Sequence, residues 1–297
     1  MSKKRSPLLL IDTHYLAYRA YHTANIRTLS HKGIKTGVVF GILRDVQKLM
    51  SQFETKDICF CFDSASSLRK EIYPEYKSNR KASKESPELT SEQLEELKLF
   101  QAFRKQVSRL RKGYLPAIGF RNIFRAEGYE ADDIIASLCE TTPSEKKVII
   151  VSADHDLYQL LSGSVSIWQP RKGKLYTLQS FKNEFGILPN KWALVKAIAG
   201  CSSDTIPGVP RVGEKTAIRY LNKDLKEDSK AWRSIEEHKE LWTSTYLPLT
   251  VIPFEGCPFF NIRKNKFSES GWKSVLKQLG LKSLRKNTSF LKGRKNA

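Results

Sequence analysis

Short unbroken apolar runs alternate with longer stretches whose apolar residues recur every three or four positions. That rhythm predicts an α/β fold. The runs are LLLID at 8–12, ICFCFD at 58–63 and VIIVS at 148–152. Continuous apolar segments of this length suit parallel strands buried on both faces. Residues 117–127 and 165–168 read as further short strands. Helical spacing appears at Val38, Val39, Ile42, Leu43, Val46 and Leu49, opened by Thr36-Gly37 after a loop at 30–37. It returns at Leu94, Leu97, Phe100, Phe103, Val107 and Leu110, on a helix predicted over about 91–111. Strands and helices alternate to about residue 185, which argues for a mostly parallel central sheet. From about 189 the pattern reads as helical, with one helix over 192–199 and another starting near Glu214.

All three strong runs deliver carboxylates. Asp12 and Asp63 end the first two, and the third leads directly into Asp154 and Asp156. In open α/β sheets the functional crevice lies at the carboxyl ends of the strands. A fourth stretch, Gly-Tyr-Glu-Ala-Asp-Asp at 128–133, places Glu130, Asp132 and Asp133 at the start of an apolar helix. Carboxylates gathered in one place repel one another, and burial adds to the cost. Hard divalent cations such as Mg2+ or Mn2+ relieve it, since both favour oxygen ligands.

Composition points to the partner. The 297 residues carry a formal charge of +20 with a pI near 9.7, and 40% are hydrophobic. A real core and a polyanionic partner, most often nucleic acid, follow from that balance. A plain soluble basic protein is the alternative. The five cysteines, Cys59, Cys61, Cys139, Cys201 and Cys257, form no CxxC pair and no zinc spacing, which fits a reducing cytosol. Cys59 and Cys61 share one face of a strand and read as core. The opening MSKKRSPLLLID has too short an apolar run for a signal peptide, and no segment is long enough to cross a membrane.

Two basic features stand out. Lys77, Arg80, Lys81 and Lys84 fall within eight residues, just after Tyr73 and Tyr76 and downstream of Asp63. A phosphate grip accounts for this placement, and a solvated loop is the alternative. In IPGVPRVGEKTAIRYL, 206–221, Gly208 and Gly213 bracket a tight turn before a helix. Free N–H groups at such a turn suit an anion, as in the hairpin of helix–hairpin–helix modules. An ordinary connection between helices is the alternative. The last 37 residues hold eleven Lys or Arg against one acid, Glu269, and Trp272, Val275, Leu276 and Leu279 predict a docked helix there, with a loose end from about Asn287.

Taken in order, LLLIDTHYLAYRAYH, GIKTGVVFGIL, FDSASSLRKEIYPEYKSNR, GYEADDIIASL, SADHDLYQLL, SSDTIPGVPRVGEKTA and LKQLGLKSL resemble the 5′-nuclease family over roughly residues 8–290. That family includes the N-terminal nuclease domain of bacterial DNA polymerase I, phage 5′-exonucleases and flap endonucleases. The resemblance implies a PIN-like resolvase-type α/β core with a helical arch and a C-terminal helix-hairpin-helix subdomain. The implied boundaries are a nuclease domain at 1–188 with its basic arch at about 64–115, a duplex-binding subdomain at 189–290, and a flexible basic tail at 291–297. It implies two divalent ions, Mg2+ or Mn2+. Asp12, Asp63, Glu130 and Asp132 match one carboxylate cluster, Asp154, Asp156 and Asp204 the other, and Asp133 lies between.

Lys77 and Arg80 become candidate catalytic cations at the scissile phosphate. Arg19, Lys81, Lys84, Gly208, Val209, Arg211, Gly213, Lys215 and Thr216 become DNA contacts, with K+ at the hairpin. The expected protein is a cytoplasmic monomer acting on DNA 5′ ends, flaps or nicks, or on RNA–DNA hybrids. A DNA polymerase would be supplied in trans. A branched-DNA binder with a weakened metal site and a PIN-like ribonuclease are the rival readings. This chain departs from the family pattern at Cys201, where an aspartate is usual, at Thr205, where asparagine is usual, and at Thr13, where glycine is common. A thiol is a soft ligand and a poor partner for magnesium.

Overall fold

A computed structural model describes residues 6–80, 90–285, 288 and 291. Lys81, Lys84 and the Arg80 side chain lie outside the described residues. Eight strands occur among those described: β1 (Leu8–Asp12), β2 (Ser30–His31), β3 (Ile34–Lys35), β4 (Ile58–Cys61), β5 (Ile123–Phe124), β6 (Val148–Val151), β7 (Val165–Gln169) and β8 (Lys174–Tyr176). Six build one sheet in the order β5-β4-β1-β6-β7-β8. All its pairings are parallel except the last, β7 with β8. The chain thus leaves β1 toward one edge, through β4 and β5, and returns to its other flank at β6. That reversal opens a crevice at the carboxyl end of β1. The stretch at 30–37, expected as a loop, holds instead the small antiparallel ribbon β2–β3.

Alternation along each strand divides the core in two. Leu8, Leu10, Cys59, Cys61, Val148 and Ile150 pack on one face, with Ile134, Ile135, Trp192, Val195 and Ile198. Leu9, Ile11, Ile58, Phe60, Ile149 and Val151 pack on the other, with Leu16, Ile42, Phe103 and Trp272. Each fully buried aliphatic or aromatic side chain contributes about 1.5–3 kcal/mol.

The helix Ser91–Arg109 starts with a capping box, the Thr90 hydroxyl accepting from Gln93 N–H and the Gln93 side chain accepting from Thr90 N–H. Its Phe100 and Phe103 rings pack on Tyr21, and Gln106 Oε1 accepts the Val38 N–H at 2.9 Å. This limb of the basic segment is therefore seated on the core by its C-terminal half.

The C-terminal third is less uniformly helical than its pattern suggests. Residues 251–268 contain neither helix nor strand before Ser268 caps the next helix. They run along the β5 edge. Asn122 and Arg263 exchange two hydrogen bonds, each of 2.7 Å, and Asn265 donates to the Lys56 and Ile58 carbonyls. Covering an edge in this way removes a site for stray pairing. The helix Glu269–Gln278 then docks Trp272 and Leu276 into the second core face. Gly271 is required there, because a Cβ would lie 2.0 Å from the Ala117 carbonyl oxygen. Leu291, expected in the loose end, is buried in the same face, and its carbonyl accepts from Lys56 Nζ at 2.7 Å. Residues 292–297 lie outside the described residues. Among those described, no helix is long and apolar enough to cross a membrane.

Candidate active site

Asp12 is the last residue of β1 and the N-cap of the helix Thr13–Tyr21. One of its oxygens accepts the Tyr15 N–H at 2.9 Å and the other the Ser152 hydroxyl at 2.8 Å. Ser152 also accepts the Asp154 N–H at 3.1 Å, so one small side chain ties the end of β1 to the loop after β6. Asp63 follows β4. Its Oδ1 accepts the Ala131 N–H at 2.8 Å, and its Oδ2 lies 3.1 Å from His14 Nδ1. These contacts fix the Asp63 rotamer and aim the start of the helix Ala131–Thr141 into the crevice.

The electrostatics show how tightly the acids are gathered. Burial pushes the Asp12 carboxyl up to about 7, and the neighbouring Asp63 charge adds to the shift. Asp132 is held well above the usual carboxylate range, by burial first and then by Asp154, Asp12, Asp156 and Asp63. Asp154 is raised by burial and by Asp156. Glu130 behaves oppositely. Burial disfavours its charge, but Lys77 and Arg69 outweigh it, and its carboxyl titrates below the normal range. Lys77 Nζ is 2.7 Å from Glu130 and 3.6 Å from Asp204, and its backbone N–H donates to the Asp204 carbonyl at 3.0 Å. The cation expected at the arch base therefore lies inside the crevice.

The loop 200–208 brings in the last acids. Gly200 and Gly208 interlock there. A Cβ on Gly208 would lie 2.3 Å from Gly200 N, and one on Gly200 would lie 2.5 Å from the Pro207 oxygen, while both have positive φ. This contact closes the turn between the helices Trp192–Ala199 and Glu214–Leu221 and holds Cys201 and Asp204 against Asp156. Ligand atoms of Asp156, Cys201 and Asp204 all lie within 4.8 Å of one another.

Asp133 is placed elsewhere. It is fully buried in a two-pronged pair with Arg69, both bonds 2.8 Å, and also accepts the Glu130 and Phe254 N–H groups. Each oxygen already takes two donors, which leaves it no edge to offer a metal. Arg19 is paired with Asp45, which Arg44 also grips. In the hairpin, Gly208 and Val209 are buried, Thr216 is half-buried, and Arg211, Gly213 and Lys215 are exposed.

Four contributors escaped the sequence reading: His14, Ser152, Arg69 and Lys196. Lys196 Nζ lies 3.1 Å from Asp156, and although burial works against its charge, Asp156 raises its pKa overall. A lone lysine inside WALVKAIA was the available signal.

The donor set fits hard divalent cations. The Asp12–Asp63–Asp132–Asp154 group offers only oxygen, and Asp12, Asp132 and Asp154 are held above the ordinary carboxylate range by burial and by neighbouring acids. A stability effect follows. Asp12 has a folded pKa raised from 3.8 to about 7, so its favourable contribution is complete at low pH and is lost as pH rises through 7. In chelator, Asp12→Asn is expected to gain stability over the unsubstituted chain progressively between about pH 4 and 7 and to keep that gain above it, and saturating Mg2+ is expected to abolish it. Thermal melts across this range check it.

A family model described as the 5′-3′ exonuclease N-terminal resolvase-like domain matches residues 7–186. The chain belongs to the 5′-3′ exonuclease family. It is 31% identical over 241 residues to a 5′-3′ exonuclease of Buchnera aphidicola, covering 80% of this chain and 77% of that one. It is also 31% identical over 304 residues to the thermostable DNA polymerase I of Thermus filiformis, covering 97% of this chain but only 34% of the polymerase. The fold resembles the T5 5′-exonuclease solved with bound zinc, with a TM-score of 0.69 and 22% identity over 83% of this chain and 90% of that one.

Proposed function

We propose that this family member is a divalent-metal-dependent 5′-3′ exonuclease and flap endonuclease that hydrolyses phosphodiesters in DNA, with RNA primers as a second substrate, during replication or repair. The observation that carries the reading is the meeting of Asp12, Asp63 and Asp154, at the carboxyl ends of adjacent parallel strands, with Asp132 at the start of a helix, where burial and neighbouring acids raise the pKa of Asp12, Asp132 and Asp154. Asp12, Asp63, Glu130 and Asp132 would hold one ion and Asp156 and Asp204 a second, with Asp154, whose charge acts on Asp132 on one side and meets Asp156 and Asp204 on the other, able to serve either. Bound Mg2+ or Mn2+ would neutralise these acids and supply Lewis-acid activation of water and phosphate.

The chain's own groups do the rest. Lys77 presents an ammonium between Glu130 and Asp204, where it can meet the non-bridging oxygens of the scissile phosphate. Ser152 keeps Asp12 and the Asp154 loop in register. Arg211 and Lys215, exposed beside the Gly213 turn, would hold duplex phosphates as a helix-hairpin-helix does, with K+ the ion to test there. Arg80, Lys81 and Lys84, which follow Lys77 closely in sequence, would contact phosphate in the same reading. A monomer in the cytosol fits five free thiols and carboxylates that all come from one chain. The boundaries near residues 188 and 290 mark functional parts in this reading, a nuclease core and a duplex grip, and residues on both sides of 188 pack together on each face of the sheet.

The test is cleavage of labelled 5′-flap, nicked and RNA-primed duplexes with Mg2+, Mn2+ or chelator. Absence of metal-dependent cleavage on every substrate sinks the reading. It would favour the branched-DNA binder, for which the thiol at Cys201 is the supporting observation. Lys77→Ala is expected to slow single-turnover cleavage by about 10²-fold while changing DNA affinity far less, because a fixed cation acts on charge that develops in the transition state. A defect confined to affinity would place Lys77 in binding alone.

A further inference from the structure

The two groups of acids are balanced differently. Asp12, Asp132 and Asp154 have no lysine or arginine within ion-pair distance among the described residues, and Asp63 meets only His14. Glu130, assigned to the same ion, has cations of its own, Lys77 at 2.7 Å and Arg69 at 4.0 Å, so among the described residues it is Asp12, Asp132 and Asp154 that depend most on an added cation. The Asp156–Cys201–Asp204 group has only two carboxylates, because its third member is a thiol whose Sγ lies 3.0 Å from Ser203 Oγ. It also has a cation of its own. Lys196 rises from an otherwise apolar helix, with its side chain only 18% exposed, and its ammonium rests 3.1 Å from Asp156. Lys77 stands 3.6 Å from Asp204 on the other side. Two ammonium groups thus reach two carboxylates.

We propose that Lys196 is a resident counter-cation of the Asp156–Cys201–Asp204 group, which therefore takes a divalent ion weakly and by displacing the lysine, whereas the Asp12–Asp63–Asp132–Asp154 group takes its ion tightly. The proposal rests on the reading of the crevice as a metal site and goes beyond it by assigning unequal roles and a competing residue. The physical basis is simple. An incoming divalent ion gains little from a carboxylate already paired, and it is repelled by an ammonium a few ångströms away. A neutral thiol adds no charge and is a poor ligand for a hard ion. Lys196 has a long flexible stem, so it can withdraw without moving the helix that carries it.

Manganese titration of the metal-stripped full chain, followed by calorimetry and by the spin-resonance signal of free ion, tests this without any cleavage assay. The unsubstituted protein is expected to bind one ion tightly and a second at least about ten-fold more weakly. Lys196→Met, which keeps the length of the stem and removes the charge, should tighten the second ion by about ten-fold or more and leave the first unchanged. Lys196→Arg should leave the second ion weak. Cys201→Asp, which adds a carboxylate, should tighten it. Should Lys196→Met fail to fold, Lys196→Gln reads the same quantity. Two ions of equal affinity in the unsubstituted chain, or a second ion indifferent to loss of the Lys196 charge in a folded variant, overturns the proposal. Binding of no ion at all, or a tight ion that survives Asp132→Asn unchanged, overturns the metal-site reading on which the proposal stands.

Discussion

Asp12→Asn and Asp154→Asn are each expected to lower cleavage in Mg2+ by about three orders of magnitude or more while leaving DNA affinity within a few-fold. Asparagine at position 12 keeps an acceptor for the Tyr15 N–H, and its amide N–H can donate to Ser152 Oγ in place of accepting from it, so the local geometry survives. What disappears is the anionic ligand. The basic surfaces that would grip phosphate, Arg211 and Lys215 among them, lie on other elements and are untouched. The folded variant should also be at least as stable as the parent in chelator, because it removes a charge that burial and Asp63 disfavour. Single-turnover rates and binding curves on a 5′-flap duplex decide the matter. Near-normal turnover in either variant would mean that the crevice at the end of β1 is not the reaction centre.

Arg69→Met is expected to produce the largest loss of stability, about 3–5 kcal/mol, because it strands a fully buried carboxylate. The guanidinium makes two 2.8 Å bonds to Asp133, donates to the Leu249 and Val251 carbonyls, and stacks over Phe254 with its carbon 4.8 Å from the ring centroid. It thereby fastens the helix that bears Asp132 to the strap beginning at residue 251. The double variant Arg69→Met/Asp133→Asn should recover part of the loss, since asparagine leaves no uncompensated charge, although its single oxygen can accept from only one of the Glu130 and Phe254 N–H groups. Urea unfolding of the two variants separates charge from packing. Equal destabilisation in both would assign the effect to lost contacts rather than to the stranded acid.

Much of the scaffold was legible because buried parallel strands leave an unambiguous mark. LLLID, ICFCFD and VIIVS fall on β1, β4 and β6, and their trailing aspartates meet in one crevice. Asp133 is set apart from the other acids for a physical reason. Asp133 follows Asp132 directly, and on a helix neighbouring residues point about 100° apart, so both cannot face the same ion. Its true partner, Arg69, lies 64 residues away, and nothing local announces the pair. Ser152 and His14 were hidden for the same reason, as they act through short contacts to residues on other strands. The ribbon β2–β3 is only two residues per strand, too short to show a period. The strap at 251–268 was unreadable because its bonds run from side chains such as Asn265 to backbone on the sheet edge, a pattern with no periodicity at all.

The strap and its terminal helix also set the order in which this molecule can be completed during synthesis. Lys56 reaches across 235 residues to Leu291, and Gln47 across 237 to Leu284. Trp272 and Leu276 fill the face built by Leu9, Ile11 and Phe60. Contacts that span so much chain carry a heavy loop-closure cost and slow folding. A nascent chain released from the ribosome only as far as residue 186 would hold every strand of the sheet, yet it would expose one edge and leave both faces without their tryptophan plugs, Trp192 on one and Trp272 on the other. Such a fragment is a poor candidate for independent expression. The helix at 269–278 works as the last stone of the arch, and the sheet must wait for it.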